Sequence, residues 1–179
     1  MKIALDVDGV IADVIDSWLN YSNKIRTPLS KEDITNWDFW KKFNINRFDF
    51  YKELTICWEN WNTLPPMEPN LSQITQNLSE FGQVDIVTAR ESSTDNFVKN
   101  WLNLHGVVYE NYVSVIDGRM KADLDYDLFI DDSPLNAEKF LEKKKNFFLY
   151  SQPWNRHIPT ETQRIFSLSD VVNQLCSKN

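Results

Sequence analysis

Asp6 and Asp8 stand two residues apart where the apolar run Ile3-Ala4-Leu5 ends, and Gly9 follows at once. In an extended strand, residues i and i+2 face the same way, so both carboxylates project to one side as the strand gives out. Gly9 lets the chain turn there with no Cβ in the way. Two carboxylates this close repel each other unless a cation sits between them, and a hard divalent ion such as Mg²⁺ is the usual partner. A solvated surface turn has the same pattern, so the pair alone leaves both readings open.

Three further features narrow the choice. Residues 83–90 form a second short strand pattern that ends in the hydroxyl of Thr88 and is followed by Arg90. Lys121 lies ten residues before Asp131. Residues 127–132 form a third apolar run ending in the pair Asp131-Asp132, with Asp127 expected to begin the strand. The carboxyl edge of an open parallel α/β sheet is where ligands bind, and three strand ends with complementary chemistry fall there together.

The elements that must position these groups alternate between strand and helix. Val14, Ile15, Trp18, Leu19 and Ile25 recur at helical spacing and predict a helix ending near Thr27-Pro28. Residues 71–81 form the next amphipathic helix, which Gly82 stops. Ser93 or Thr94 caps a helix carrying Phe97, Val98, Trp101 and Leu102 and halted at Gly106, and residues 112–116 form a strand. Pro134 fits the first position of a helix through Ala137 and Phe140, residues 146–150 a fifth strand, and a last helix follows Ser169. This alternation predicts a Rossmann-like α/β fold, a parallel sheet sandwiched by helices with right-handed crossovers.

Residues 29–65 differ in character, being rich in Trp, Phe, Asn and Asp and closing on Pro65-Pro66. They predict a small helical cap inserted after the first strand. The expected division is a catalytic core of residues 1–15 and 68–179 and a cap of residues 16–67.

In motif order and spacing the chain resembles the haloacid dehalogenase-like superfamily, and within it the 5′(3′)-deoxyribonucleotidases, which share the Lys-to-Ile-Asp-Asp spacing and a small cap after the first motif. The motifs span residues 4–134. The resemblance implies a Mg²⁺-dependent phosphomonoesterase acting on (deoxy)nucleoside monophosphates. It makes Asp6 the nucleophile that forms an aspartyl-phosphate, and Asp8 the general acid and base. Thr88 would bind the phosphoryl oxygens and Lys121 would neutralise charge. It assigns the metal to Asp6, the Asp8 backbone carbonyl and the pair Asp131 and Asp132, leaving open which of the two is the inner ligand. Arg90 becomes a candidate phosphate contact, with a surface ion pair as the alternative. The chain departs from mammalian relatives in carrying Ser133 where they have Arg.

The cap is where substrate choice is expected to reside. Between residues 37 and 61 lie nine aromatics, too many for so small an insertion to bury within itself. Trp40, Trp58 and Trp61 are the candidates for a flat wall against a nucleobase, although each could instead serve the cap's own core or a homodimer interface.

Composition limits the partners. A net charge of −7 argues against a nucleic-acid polymer, whose backbone needs a basic surface, but not against a single mononucleotide. Cys57 and Cys176 match neither a CxxC nor a zinc pattern and read as free thiols. With neither a membrane-length apolar stretch nor a signal-peptide pattern, the expected location is the cytoplasm. His105 fits a helix C-terminus, and His157 lies in a Trp-Asn-Arg loop without a partner at ligand spacing.

Two rival classes share parts of this pattern. A sugar phosphatase would use the same chemistry with the cap as a lid. A phospho-accepting receiver domain also gathers acids, a Thr and a Lys, but there the Lys comes last, whereas Lys121 precedes the final acids. A silent binding protein on this fold is disfavoured because every catalytic position is filled.

Overall fold

The structure is a computed structural model and describes residues 1–159 and 163–177. Its centre is a parallel sheet of six strands: β1 (Lys2–Leu5), β2 (Gln83–Ala89), β3 (Tyr112–Val115), β4 (Leu128–Asp131), β5 (Phe147–Tyr150) and β6 (Arg164–Ile165). The spatial order is β3-β2-β1-β4-β5-β6. The chain runs outward from β1 to β3, then returns to lay β4 on the other side of β1, with Ile3, Ala4 and Leu5 opposite Leu128, Phe129 and Ile130. Strand order therefore reverses between β1 and β4, and a crevice opens at their carboxyl ends.

Six helices cover the sheet or the cap: α1 (Val14–Ser22), α2 (Arg47–Glu59), α3 (Leu71–Ser79), α4 (Asp95–Leu104), α5 (Pro134–Glu142) and α6 (Leu168–Cys176). Strand residues buried on both faces (Ile3, Leu5, Ile86, Val87, Phe129, Ile130) show that the sheet is sandwiched, as parallel sheets must be. Several helix starts have a side-chain cap. Asp13 caps α1, Asn46 caps α2, and Ser133 caps α5 with Pro134 at the first position.

Two expectations needed correction, and one strand had not been anticipated. α1 stops at Ser22, and Ile25 is exposed rather than on an apolar face. The reason is Asn23, whose side-chain amide both donates to the Leu29 carbonyl and accepts from its N–H, folding the chain back before Pro28. α6 begins at Leu168, because a capping box of Ser167 and Asp170 starts it earlier than Ser169. β6 has only two residues, too few for any periodicity to announce it.

Residues 31–63 fold as α2 with short 3₁₀ turns at Lys31–Asp33, Phe39–Phe43 and Trp61–Thr63. Trp18 of α1 meets Phe39 and Phe50 edge-on at 5.4 and 5.3 Å, and Trp40 stacks on Phe50 at 4.7 Å. Trp18 Nε1 and Arg26 both donate to the buried Glu53, tying α1 to α2. The two chain connections to the sheet run side by side: Asp13 N–H donates to Pro65 O and Met67 N–H to Ile11 O. No helix among the described residues is long and apolar enough to cross a membrane.

Candidate active site

Asp6 follows β1 directly and stays in register with β4 by donating its N–H to Ile130 O at 3.0 Å. Asp131 closes β4, so the adjacency of the two strands alone brings the first and last acids together. Lys121 lies on the 3₁₀ turn Gly118–Asp123 after β3, and its side chain, 3% exposed, reaches both. Its Nζ stands 2.9 Å from Asp6 Oδ2 and 2.8 Å from Asp131 Oδ2.

Asp131 is further held by the Ser133 N–H at 2.9 Å and by Asn136 Nδ2, which reaches both of its oxygens. Asp132 accepts from Trp154 Nε1 at 2.9 Å on Oδ2, and its carbonyl accepts from Asn155 Nδ2. Gln152 Nε2 donates to Gly9 O at 2.6 Å. The segment 152–155 thus clasps both acid loops. Gly9 has φ +77°, and a Cβ there would overlap Asp132 Oδ2, so only glycine allows the first loop to pass so close to the last acid.

Carboxylate oxygens of Asp6, Asp131 and Asp132 lie within 4.8 Å of one another, and all three residues are buried. One lysine cannot balance three such charges. Burial, only partly opposed by Lys121, raises Asp6 to about 7, with Asp131 adding to the rise. Burial and then Asp131 and Asp6 push Asp132 well above the usual carboxylate range. For Lys121, burial pulls down but Asp131 and Asp6 outweigh it, so the ammonium is held above its ordinary value. A buried all-oxygen donor set with surplus negative charge fits a hard divalent cation.

Thr88 is the penultimate residue of β2, is 1% exposed, and lines the same crevice. Asp8 lies at the crevice edge with its side chain 32% exposed. Its Oδ1 accepts from Trp58 Nε1 at 3.0 Å and its Oδ2 pairs with the Arg90 guanidinium. Arg90 is itself 7% exposed in its side chain, lies 4.4 Å over the Trp58 ring, and sends Nε toward Thr88 Oγ1 at 3.3 Å.

A cleft of about 640 Å³ opens from these acids between sheet and cap, walled by Trp37, Trp40 and Tyr51 and bordered by Arg47, Asp117 and Arg119. A second, of about 770 Å³, shares Asp8, Arg47 and Tyr51 and runs past Trp58 and Arg90.

The structure brings Asp6, Asp8, Thr88, Lys121, Asp131 and Asp132 to one crevice. It separates the three tryptophans: Trp40 lines the first cleft, Trp58 is buried under Arg90, and Trp61 packs against the core away from both clefts. Asp127 does precede β4, accepting from the Lys2 N–H. His105 caps the end of α4 against Trp101, and His157 is exposed. Sequence reasoning missed Asn136, Gln152, Trp154 and Asn155. Asn136 carried no signal within its helix, and the other three showed only as a run of polar and aromatic residues after β5, which does not reveal what they touch.

A β3-β2-β1-β4-β5-β6 parallel sheet with acids at the ends of the two central strands, a Thr on β2 and a Lys before β4 has the fold of haloacid dehalogenase-like hydrolases. The chain belongs to the family described as 5′ nucleotidase, deoxy (pyrimidine), cytosolic type C, whose model matches residues 1–178. That membership makes it a phosphoric monoester hydrolase of the nucleotidase type. It is 30% identical over 159 residues, 87% of either chain, to a 5′(3′)-deoxyribonucleotidase of Bacillus subtilis (strain 168). Its fold is similar to that of a HAD-superfamily hydrolase, subfamily IA, from Geobacter sulfurreducens (16% identity, 97% of this chain and 95% of that one, TM-score 0.60). A D,D-heptose 1.7-bisphosphate phosphatase from B. bronchiseptica, complexed with magnesium and phosphate, is also similar (16% identity, 100% of both chains, TM-score 0.56).

Proposed function

We propose that the chain is a Mg²⁺-dependent phosphatase of (deoxy)nucleoside monophosphates that works through an aspartyl-phosphate on Asp6. The observation that carries this reading is the buried cluster of Asp6, Lys121, Asp131 and Asp132 at the inner end of an aromatic-walled cleft. Residues 1–15 and 68–179 serve as catalytic core, and residues 16–67 as a cap that selects the substrate. The working location is the cytoplasm, and the substrate is a mononucleotide rather than a polymer.

Asp6, the Asp8 carbonyl and Asp132 would hold the metal. The Asp131 carboxylate already takes four donor contacts, from Ser133, Lys121 and twice from Asn136, whereas among the described residues the Asp132 carboxylate accepts only from Trp154. Asp132 is therefore the better inner ligand and Asp131 the anchor of Lys121. When bound, Mg²⁺ supplies positive charge against the oxygens of the transferring phosphoryl group.

The Thr88 hydroxyl and the Lys121 ammonium orient and neutralise the phosphoryl group in line with Asp6. An Asp6 oxygen bonds to phosphorus as the ester P–O bond breaks. Asp8, at the cleft edge, gives its proton to the departing nucleoside oxygen. It then takes a proton from water as that water attacks phosphorus, freeing Asp6 and inorganic phosphate. Burial of Asp6 and Lys121 keeps these charges in a low-dielectric site, where their effect on the transition state is largest.

The test is phosphate release with Mg²⁺ from ribo- and deoxyribonucleoside 5′- and 3′-monophosphates and sugar phosphates, with Asp6→Asn as control. Turnover of nucleotides that disappears in the control supports the reading. Turnover confined to sugar phosphates keeps the chemistry and removes the nucleotide.

A further inference from the structure

Arg90 and Trp58 are candidates for substrate contact by sequence, yet in the structure both are spent on Asp8. We infer that they form a clamp that orients the Asp8 carboxylate toward the leaving group, and that both are positioning residues for this reaction. The inference rests on the role proposed for Asp8 above.

Three observations point the same way. Each oxygen of Asp8 has its own donor, Trp58 Nε1 at 3.0 Å on Oδ1 and the Arg90 guanidinium on Oδ2, which removes rotation about the last side-chain bond. Each oxygen keeps a second lone-pair site, so the clamp fixes direction without blocking a proton. The clamp is itself immobilised: Arg90 is 7% exposed, lies 4.4 Å above the Trp58 ring and is anchored toward Thr88 at 3.3 Å, while Trp58 is 2% exposed. The groups come from three places in the chain, since Asp8 follows β1, Arg90 follows β2 and Trp58 lies on α2. Asp8, 32% exposed in its side chain, is the member of the clamp that lines the first cleft beside the acids. A proton donor gains its effect from being held in the reacting geometry, and a planar guanidinium with a rigid indole holds a carboxylate better than flexible side chains would.

The rival role for Arg90 is a direct phosphate ligand, and leaving-group dependence separates the two. A nucleoside alkoxide is a poor leaving group and needs the proton from Asp8, whereas p-nitrophenolate leaves without one. kcat/KM reports the steps through leaving-group departure, so it isolates the proton-donating role from the later hydrolysis.

The experiment measures kcat/KM for a deoxynucleoside monophosphate and for p-nitrophenyl phosphate, and the inhibition constant of inorganic phosphate. The enzymes are the Mg²⁺-loaded wild type, Arg90→Lys, Trp58→Phe and Asp8→Asn, each checked for an unchanged circular-dichroism spectrum. Arg90→Lys keeps the charge and loses the fork. Trp58→Phe keeps a ring under Arg90 and loses only the N–H. The clamp predicts a fall of about 10²-fold for the nucleotide in Arg90→Lys, within the range of general acid catalysis. Trp58→Phe should show a smaller fall of the same kind. For both variants the aryl phosphate should stay within about threefold, with phosphate inhibition unchanged. Equal losses on both substrates, or weakened phosphate inhibition in Arg90→Lys, would overturn the clamp in favour of a phosphate ligand. Asp8→Asn separates the two levels. If its loss is not leaving-group selective, the acid role fails. If it is selective while Arg90→Lys and Trp58→Phe behave as wild type, only the clamp fails.

Discussion

Lys121→Met is the most informative single perturbation, because it removes the ammonium that pairs inside a buried group of three carboxylates. Lys121 Nζ lies 2.9 Å from Asp6 and 2.8 Å from Asp131, with its side chain 3% exposed, so the pair is screened little by solvent. Removing one partner of a buried ion pair costs roughly 3–5 kcal/mol, and the methionine stem fills most of the space. The penalty depends on pH in a direction fixed by Asp6. Its folded-state value, about 7, is above its ordinary 3.8, so between those limits the folded protein holds the extra proton. Stability from this group is complete below the lower limit and is lost as pH rises through the upper one. Without Lys121 the Asp6 value climbs further, so the variant suffers most at alkaline pH.

Urea unfolding in EDTA at pH 8 and pH 5 tests this. The wild-type-minus-variant difference should be about 3–5 kcal/mol at pH 8. It should shrink by at least about 1.4 kcal/mol at pH 5, which corresponds to a tenfold change in the proton affinity of one carboxyl. With Mg²⁺ in place of EDTA, the variant should gain more stability than wild type, since its site has one more uncompensated negative charge. A penalty below about 1 kcal/mol at pH 8, or one that ignores pH, would refute the electrostatic account of this cluster. Smaller stabilisation of the variant by Mg²⁺ would refute its assignment as the metal site.

Gly9→Ala forces a Cβ into a residue at φ +77° and against Asp132 Oδ2, so it should lose about 1–2 kcal/mol in unfolding assays from the backbone alone. Its turnover should also require more Mg²⁺, as Asp132 is displaced. Trp154→Phe removes the indole donor 2.9 Å from Asp132 Oδ2 and should weaken Mg²⁺ binding by about 10-fold or more in calorimetry, with nucleotide KM little changed. Unaltered metal affinity in that variant would show that Trp154 does not orient Asp132. Thiol titration of the native protein should find Cys176, which is exposed, and miss Cys57, whose thiol burial pushes up to about 12. Cys57 should react only once the chain is unfolded.

The groups that carry local signals were legible from the residues themselves. Asp6 and Asp8, Thr88, and Asp131 with Asp132 each end a short apolar run, and a strand that gives out into polar residues can be read within a window of six or seven positions. Lys121 lies in no such pattern and stands out only by its distance from Asp131. The cap's aromatics were legible as a group, but their individual fates were not. Trp40, Trp58 and Trp61 have the same chemistry, and packing sent one to the cleft, one beneath Arg90 and one to the core.

Partnerships between distant residues were decided by the tertiary structure. Asp8 meets Trp58 across 50 residues and Arg90 across 82, while Trp154 finds Asp132 across 22. A side chain's type states what it can bond to, and local sequence states which way its strand or helix presents it. Which partner lies there depends on strand order, on the side of β1 that β4 returns to and on how the cap docks. The amino-acid sequence by itself determined the inventory of candidate catalytic groups and the edge of the sheet where they gather. Only the folded chain decided that Arg90 and Trp58 face the acid at residue 8, because that choice comes from long-range packing rather than from any neighbourhood in the sequence.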